Sequence, residues 1–600
     1  MNILRAHHDG SDLYVSNAAP KIGDIVELKV RVPKNDKPEK IFVRLFHDGE
    51  PRTFEAKKVK TTKVEIWWSV SIEIMNTTTH YRFMLVDKKS YRWLNGVGIF
   101  NHDVTDREDF QIIAKPAYPR WLRSAVFYQI FPDRFATSGQ KKSLPHWALP
   151  REWNDLPEGK GITTPFEFYG GDLAGAESKL GHIKKLGATA IYFTPIFPSE
   201  SNHRYDATSF DEVDPLLGGD QAFLKFLAAA RSYGMKTMID LTTNHCGDAH
   251  PWFKKASKSK RAQEREFFYW KEDGSYESWW GVPSLPKLNY ASAKLRELMY
   301  AGKKSVVKKW LSAPYSVDGW RIDVGNMTGI RGESDINREI GKGVRAAVDE
   351  ANPNAWLVAE NADHSPRELD GATWHGTMNY NGFARPMVNF FNDPTVKIPN
   401  FSQFPIPNPS FDGFGTFAIL QSFAAGIPWR SLTASMVLLD SHDTARFRTV
   451  VKKSNAKHIA AITAQMSYPG VPSVLYGDEV GLEGAWGEDA RRTINWSDPE
   501  KWDSDLFDAY QELIDIRTSS DALCNGGLRW IYVDTDALAY LRESSKETVL
   551  VFFSRAGGRH TIDLAPLGYT IDQTLYGPQA KGDKVRIHSK TATSALYRLR

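Results

Sequence analysis

The chain has 600 residues, 42% hydrophobic and 25% charged, the balance of an ordinary globular protein, and its length exceeds what one core fills, so three or more domains are expected. A formal net charge of +4 on that length argues against nucleic-acid or anionic-membrane partners. Cys246 and Cys524 are too few for a disulfide framework, no His/Cys cluster has zinc spacing, and no run of about 18 apolar residues offers a membrane span. The first residues, Met1 to Asp9, lack an apolar core followed by a cleavage site, so the expected location is cytoplasmic.

Residues 1–118 read as all-β. Val26, Leu28, Val30 and Val32 alternate with Glu27, Lys29 and Arg31, and Ile41, Val43 and Leu45 continue the pattern into the turn Asp48-Gly49. Tyr81, Phe83 and Leu85 make another alternating run, which together suggests a β-sandwich. Trp67, Trp68, Tyr91 and Trp93 fit a sugar platform or plain packing, and packing is preferred.

Near Lys115-Pro116 the pattern changes to short apolar strands alternating with helices. Strands are expected at 125–131, 190–194, 236–240, 319–323, 356–360, 376–378, 436–439 and 473–476. One helix is expected over 173–186, closed by Gly187, and another over 221–233 with Gly234 at its C-cap. Eight strands separated by helix-length segments predict an α/β fold, a closed (β/α)₈ TIM barrel spanning 119–245 and 311–517. Residues 246–310, rich in Trp, Lys and Glu, form an inserted domain after the third strand, placed to wall the barrel mouth. Residues 518–600 return to β patterning as a C-terminal β-sandwich domain.

In Gly319-Trp320-Arg321-Ile322-Asp323, Trp320 and Ile322 point one way and Arg321 and Asp323 the other. A cation two residues from a carboxylate on the same face is expected to keep that carboxylate ionised. Alone, an Arg-x-Asp pair reads more often as a structural ion pair. Its company shifts the balance. Asp240 with Asn244-His245 follows the third expected strand, Glu360 ends the fifth, and Ser441-His442-Asp443 follows the seventh. Asp323, Glu360 and Asp443 thus converge on one rim, where such barrels place their chemistry. Two opposed carboxyls serve retaining hydrolysis of a glycosidic bond, one attacking the anomeric carbon and the other moving the proton. Crowding raises at least one of their pKa values.

These ordered segments resemble the α-amylase family, glycoside hydrolase family 13. Leu285-Pro286-Lys287-Leu288-Asn289 and Tyr91-Arg92-Trp93-Leu94-Asn95 resemble its neopullulanase–cyclomaltodextrinase subgroup. The resemblance implies Asp323 as nucleophile, Glu360 as general acid/base and Asp443 as transition-state stabiliser. It implies that Arg321, His245 and His442 bind the sugar in the cleaved position, that Tyr169 stacks on that ring, and that Asp206 lies beside the cleft. It implies an α-gluco-oligosaccharide substrate and no cofactor, and it allows a homodimer through the N-terminal module.

Two departures bear on substrate. Asn326 is followed by Met327 where the subgroup usually has glutamate, and Glu360 is followed by Asn361-Ala362-Asp363 rather than an aromatic-histidine pair. A third bears on metal. The loop Thr137-Ser138-Gly139-Gln140-Lys141-Lys142 lacks the acidic cluster that holds calcium in many relatives, so no metal is expected there. The leading expectation is a hydrolase of α-1,4-glucosidic bonds in cyclic or short α-glucans. Within it, a cyclic maltosyl-maltose hydrolase is a specific candidate. A transglycosylase and an inactive carbohydrate-binding homologue are the alternatives.

Overall fold

A computed structural model describes residues 3–361, 365–397 and 409–600. Eight parallel strands, Phe127–Ile130, Ala190–Phe193, Lys236–Thr242, Gly319–Asp323, Trp356–Ala359, Gly376–Thr377, Met436–Leu438 and Val471–Leu475, form one sheet. A parallel bridge between Met378 and Met436 joins its two ends, which makes the sheet a (β/α)₈ barrel.

The alternation in the strands decides what faces where. Trp320 and Ile322 on the fourth strand pack outward against the surrounding helices, among Val307, Trp310 and Val344. Phe127, Tyr192, Met238, Trp356, Val358, Met436 and Leu438 fill the barrel from the inside, forming an apolar floor. Polar side chains on these strands therefore gather above that floor, toward the strands' C-terminal ends.

The helix Gly219–Ser232 buries Phe223, Phe226, Leu227 and Ala230 on one stripe. The single helix expected over 173–186 is two helices, Leu173–Ser178 and Leu180–Leu186, broken at Lys179 with φ −104° and ψ 6°. Ser178 Oγ donates to Gly175 O at 2.6 Å, a local bond that competes with continuation of the helix. Gly187 ends the second helix in the left-handed region at φ 96°, as the sequence suggests.

At the N-terminal end a three-stranded and a six-stranded sheet enclose Val26, Leu28, Val30, Val32, Ile41, Val43, Phe83 and Leu85. Asp48 and Gly49 both take positive φ, 49° and 84°, the geometry of a tight hairpin turn. Trp68 is buried there, Trp67 stacks on Tyr14 with centroids 5.5 Å apart, and Trp93 lies under Arg82 at 4.9 Å, so these rings serve packing. The C-terminal end holds a five-stranded and a two-stranded sheet around Leu541, Leu550, Phe552 and Tyr597. Arg529 ion-pairs with Glu65 at 2.7 Å and so ties the two end regions together in a buried contact.

After the third strand the chain leaves through Asn244-His245 and returns against itself. Backbone bridges link His245 to Lys287 and Phe268 to Leu288, which fasten the excursion to the barrel mouth. No helix among the described residues is long and apolar enough to cross a membrane.

Candidate active site

The third and fourth strands run in register, with Asp240 beside Arg321 and Thr242 beside Asp323. Arg321 is 0% exposed and carries the centre of the cluster. Its Nη1 donates to both Asp240 oxygens at 3.0 and 2.9 Å and to Asp323 Oδ1 at 2.9 Å. Its Nη2 ion-pairs with Glu360 Oε2 at 2.8 Å, and Glu360 also accepts from Val324 N at 3.0 Å. One guanidinium thus faces three carboxylates, more negative charge than it cancels. Burial pushes Asp323 well above the usual carboxylate range; Arg321 pulls it back, and Glu360, Asp240 and Asp443 push it further up. Burial also raises Asp240, to about 6, against the pull of Arg321. Arg321 does lower the Asp323 pKa, as its place on the same face suggests, but burial and neighbouring acids, invisible in a two-residue spacing, outweigh it and leave the net shift upward.

Asp443 stands at the same mouth, 23% exposed, with its oxygens 3.1 Å from His442 Nε2 and from Arg491 Nη2. His442 is fully buried. Gln129 Nε2 lies 2.7 Å from its Nδ1, and an amide nitrogen only donates, so Nε2 carries the ring proton toward Tyr205 Oη at 2.6 Å and Asp443. Burial and the cations Arg491 and Arg321 keep this imidazole neutral. His245 is also neutral, lowered to about 3 by burial and by Lys287. Its Nδ1 faces Asn244 Nδ2 at 3.2 Å, and its Nε2 lies 3.9 Å from Asp323 Oδ2 with no hydrogen-bond partner.

Lys287, in the Leu-Pro-Lys-Leu-Asn segment, donates to Asn244 Oδ1 at 2.5 Å and to Met327 O at 3.0 Å. It thereby fixes the side chain that orients His245. Ala362 and Asp363, which follow Glu360 in the sequence, lie outside the described residues.

Tyr169 lies with its ring 4.2 Å under the Arg134 guanidinium, and its hydroxyl has no partner. Asp206 turns into its own loop, accepting from Glu200 N at 3.1 Å and from Ser201 Oγ, so it shapes the loop that carries Tyr205 rather than joining the carboxylate cluster. Gly171 and Asp172 face the Lys142 ammonium. Among the described residues no group of three or more His, Cys, Asp and Glu side chains could hold a metal ion.

Four residues of the site escape sequence reasoning. Tyr205 sits inside the segment His203-Arg204-Tyr205-Asp206, where the acid drew notice and the phenol did not. Gln129 is an interior residue of an apolar strand, Lys287 is seen only as part of the motif Leu285-Pro286-Lys287-Leu288-Asn289 with no role of its own, and Arg491 lies 48 residues from Asp443 with no periodicity to link them.

The sequence matches the family model for the alpha amylase catalytic domain over residues 129–497. A cyclomaltodextrinase from Bacillus sp is 28% identical over 565 residues, covering 90% of this chain and 94% of that protein. A solved cyclomaltodextrinase superposes with a TM-score of 0.72 at 26% identity, covering 99% of this chain and 100% of its own. The cyclic α-maltosyl-(1→6)-maltose hydrolase from Arthrobacter globiformis, solved with cyclic α-maltosyl-(1→6)-maltose, superposes at 0.68 with 28% identity over 80% of this chain and 100% of its own. The chain belongs to the α-amylase family of glycoside hydrolases, within the neopullulanase–cyclomaltodextrinase group.

Proposed function

We propose that the protein hydrolyses α-1,4-glucosidic bonds in cyclic or short α-gluco-oligosaccharides with retention, through a covalent glycosyl-enzyme, and that cyclic maltosyl-maltose is among its substrates. One observation carries the reading: Arg321 holds Asp323 and Glu360, from neighbouring strands, on adjacent nitrogens while Asp443 faces the same opening. In the first step the Asp323 carboxylate bonds to the anomeric carbon, Glu360 gives its proton to the departing oxygen, and the glycosidic bond breaks. In the second, Glu360 takes a proton from water, whose oxygen displaces Asp323. Asp443 and the neutral donors His442 and His245 hold the sugar hydroxyls as charge develops on the ring. Tyr169 supplies the stacking face and Arg321 the counter-charge.

Trp279 and Trp280 support an oligosaccharide longer than the cleaved ring. Their rings are parallel within 9° at 4.9 Å, and Trp279 lies 6.1 Å from the His245 ring. Trp280 is 64% exposed and held at φ 49°, a strained conformation for a bulky residue that presents its ring to solvent beside the cleft. The same platform favours a second reading, in which a bound sugar replaces water as acceptor. NMR of the first product from maltotriose, cyclodextrins and cyclic maltosyl-maltose tests both. The expected first product is α-configured with hydrolysis dominant. A β-configured product would remove the double displacement, and a majority of longer oligosaccharides would establish transfer in place of hydrolysis.

The pH dependence has a defined sign. The nucleophile works ionised, and its carboxyl is raised, so kcat/KM is lost as pH falls through that raised value. Asp240 contributes to the rise, so Asp240→Asn lowers it and moves the acid limb of the kcat/KM profile to lower pH. A limb that stays in place, or moves up, would show that Asp240 does not set the nucleophile's protonation.

A further inference from the structure

The loop Tyr169-Gly170-Gly171-Asp172 carries the ring proposed above as the stacking face, and it is held from two sides. From below, Asp133 accepts from Tyr169 N and Gly170 N, each at 3.2 Å, Gly171 N donates to Asp133 O at 3.0 Å, and Asp172 N donates to Ala136 O at 3.0 Å. Gly171 leaves no room for a side chain there, since an added Cβ would lie 2.3 Å from Pro132 O. From the other side the Lys142 ammonium reaches the loop. Lys142 Nζ donates to Gly170 O at 2.8 Å and Gly171 O at 3.2 Å and ion-pairs with Asp172 Oδ2 at 3.0 Å.

We propose that Lys142 is a positioning residue, an internal cation whose ammonium gathers the oxygens of Gly170, Gly171 and Asp172 and so sets the Tyr169 ring for stacking on the substrate. The proposal rests on the reading of Tyr169 given above. Two carbonyls and a carboxylate converging within about 3 Å are a hard-oxygen set that demands positive charge. The chain supplies that charge itself. The contact is enclosed: the Lys142 side chain is 17% exposed and that of Asp172 6%, which spares it most of the solvent screening of a surface pair. Asp172 is committed on every side. It accepts from Ser138 N at 3.1 Å, Ser138 Oγ at 2.7 Å and Gly175 N at 2.7 Å, the last capping the helix Leu173–Ser178. Lys142 therefore joins the loop of residues 137–142, the Tyr169 loop and a helix N-terminus at one point. If the ammonium is removed, the two carbonyls lose their shared donor and repel the carboxylate, and the loop between Asp133 and Asp172 relaxes with its ring.

The test uses Lys142→Met, Lys142→Arg, Lys142→Glu and Tyr169→Ala in the full chain. Lys142→Met should raise KM for maltotriose, lowering kcat/KM about tenfold while kcat changes less, as expected for a displaced binding surface. Lys142→Arg should restore most of the loss. Lys142→Glu presents a second carboxylate to the same oxygens; without metal its Tm should drop, and millimolar calcium should raise it by about 3 °C and lower KM, while the wild type ignores both calcium and chelator. A Lys142→Met enzyme with lowered Tm and unchanged KM would reduce Lys142 to a structural tie and overturn the proposal. So would a Lys142→Glu enzyme whose Tm does not respond to calcium. Wild-type KM in Tyr169→Ala would instead sink the stacking role of Tyr169, a failure distinguishable because the Tm response of Lys142→Glu reads the oxygen set without reference to activity.

Discussion

Asp323→Asn should fall to about 10⁻⁴ of wild-type kcat or less while the protein stays folded, and its Tm at pH 8 should equal or exceed that of the wild type. The loss follows from chemistry: an amide oxygen does not form the glycosyl ester, and Glu360 and Asp443 do not replace it because each is committed elsewhere, Glu360 to Arg321 Nη2 and Val324 N, Asp443 to His442 and Arg491. The stability result follows from burial. A carboxyl whose folded pKa is raised favours the folded state below its unfolded pKa, and that contribution is lost as pH rises through the folded value. Above it, Asp323 is a buried anion next to Asp240 and Glu360, and the neutral isostere removes that repulsion. Calorimetry and initial rates on one preparation decide the matter. Residual activity near the wild-type level would take Asp323 out of the mechanism; a large loss of Tm at pH 8 would show that the ion pair with Arg321 outweighs the burial cost.

What the sequence shows and what it hides divide along a physical line. Side-chain direction in a strand follows from alternation alone, so the opposite facing of Trp320 and Arg321, and the sharing of one face by Arg321 and Asp323, are legible before any coordinates. The sixth strand is harder, only Gly376–Thr377 in the structure, yet its place is marked because Met378 bridges to Met436 and completes the ring. The break at Lys179 is not legible, since the apolar spacing runs through it and only the Ser178 bond to Gly175 interrupts the helix. The direction of the Asp323 pKa shift is hidden for a related reason. Spacing reveals Arg321, two residues away, but not Asp240 from the third strand, Glu360 from the fifth or the burial of the whole group. Lys142 shows the same limit. Its residue type argues against a carboxylate-rich metal loop, but which oxygens its ammonium reaches depends on a fold that brings residue 142 against residues 170–172.

Arg321→Met should be the most destabilising single change in the cleft, costing about 3–5 kcal/mol of stability near pH 8 and lowering kcat/KM about 10³-fold. Methionine keeps an aliphatic stem but removes the charge together with the hydrogen bonds to Asp240 and Asp323. Asp240, Asp323 and Glu360 all lean on Arg321, and Tyr205 Oη lies 3.3 Å from its Nη1. Without the cation, three acids share a buried volume with no counter-charge. They respond by holding protons, which removes the ionised nucleophile at neutral pH and drives the activity profile toward alkali. The pH dependence of stability separates this account from simple loss of packing. Asp240 and Asp323, raised in the folded state, make it progressively less stable as pH rises, so the gap in apparent Tm between variant and wild type should widen from pH 5 to pH 8. A gap that is the same at both values would mean that Arg321 contributes by shape and hydrogen bonding. A gap that widens ties the stability of the barrel mouth to the charge balance on which the proposed double displacement depends.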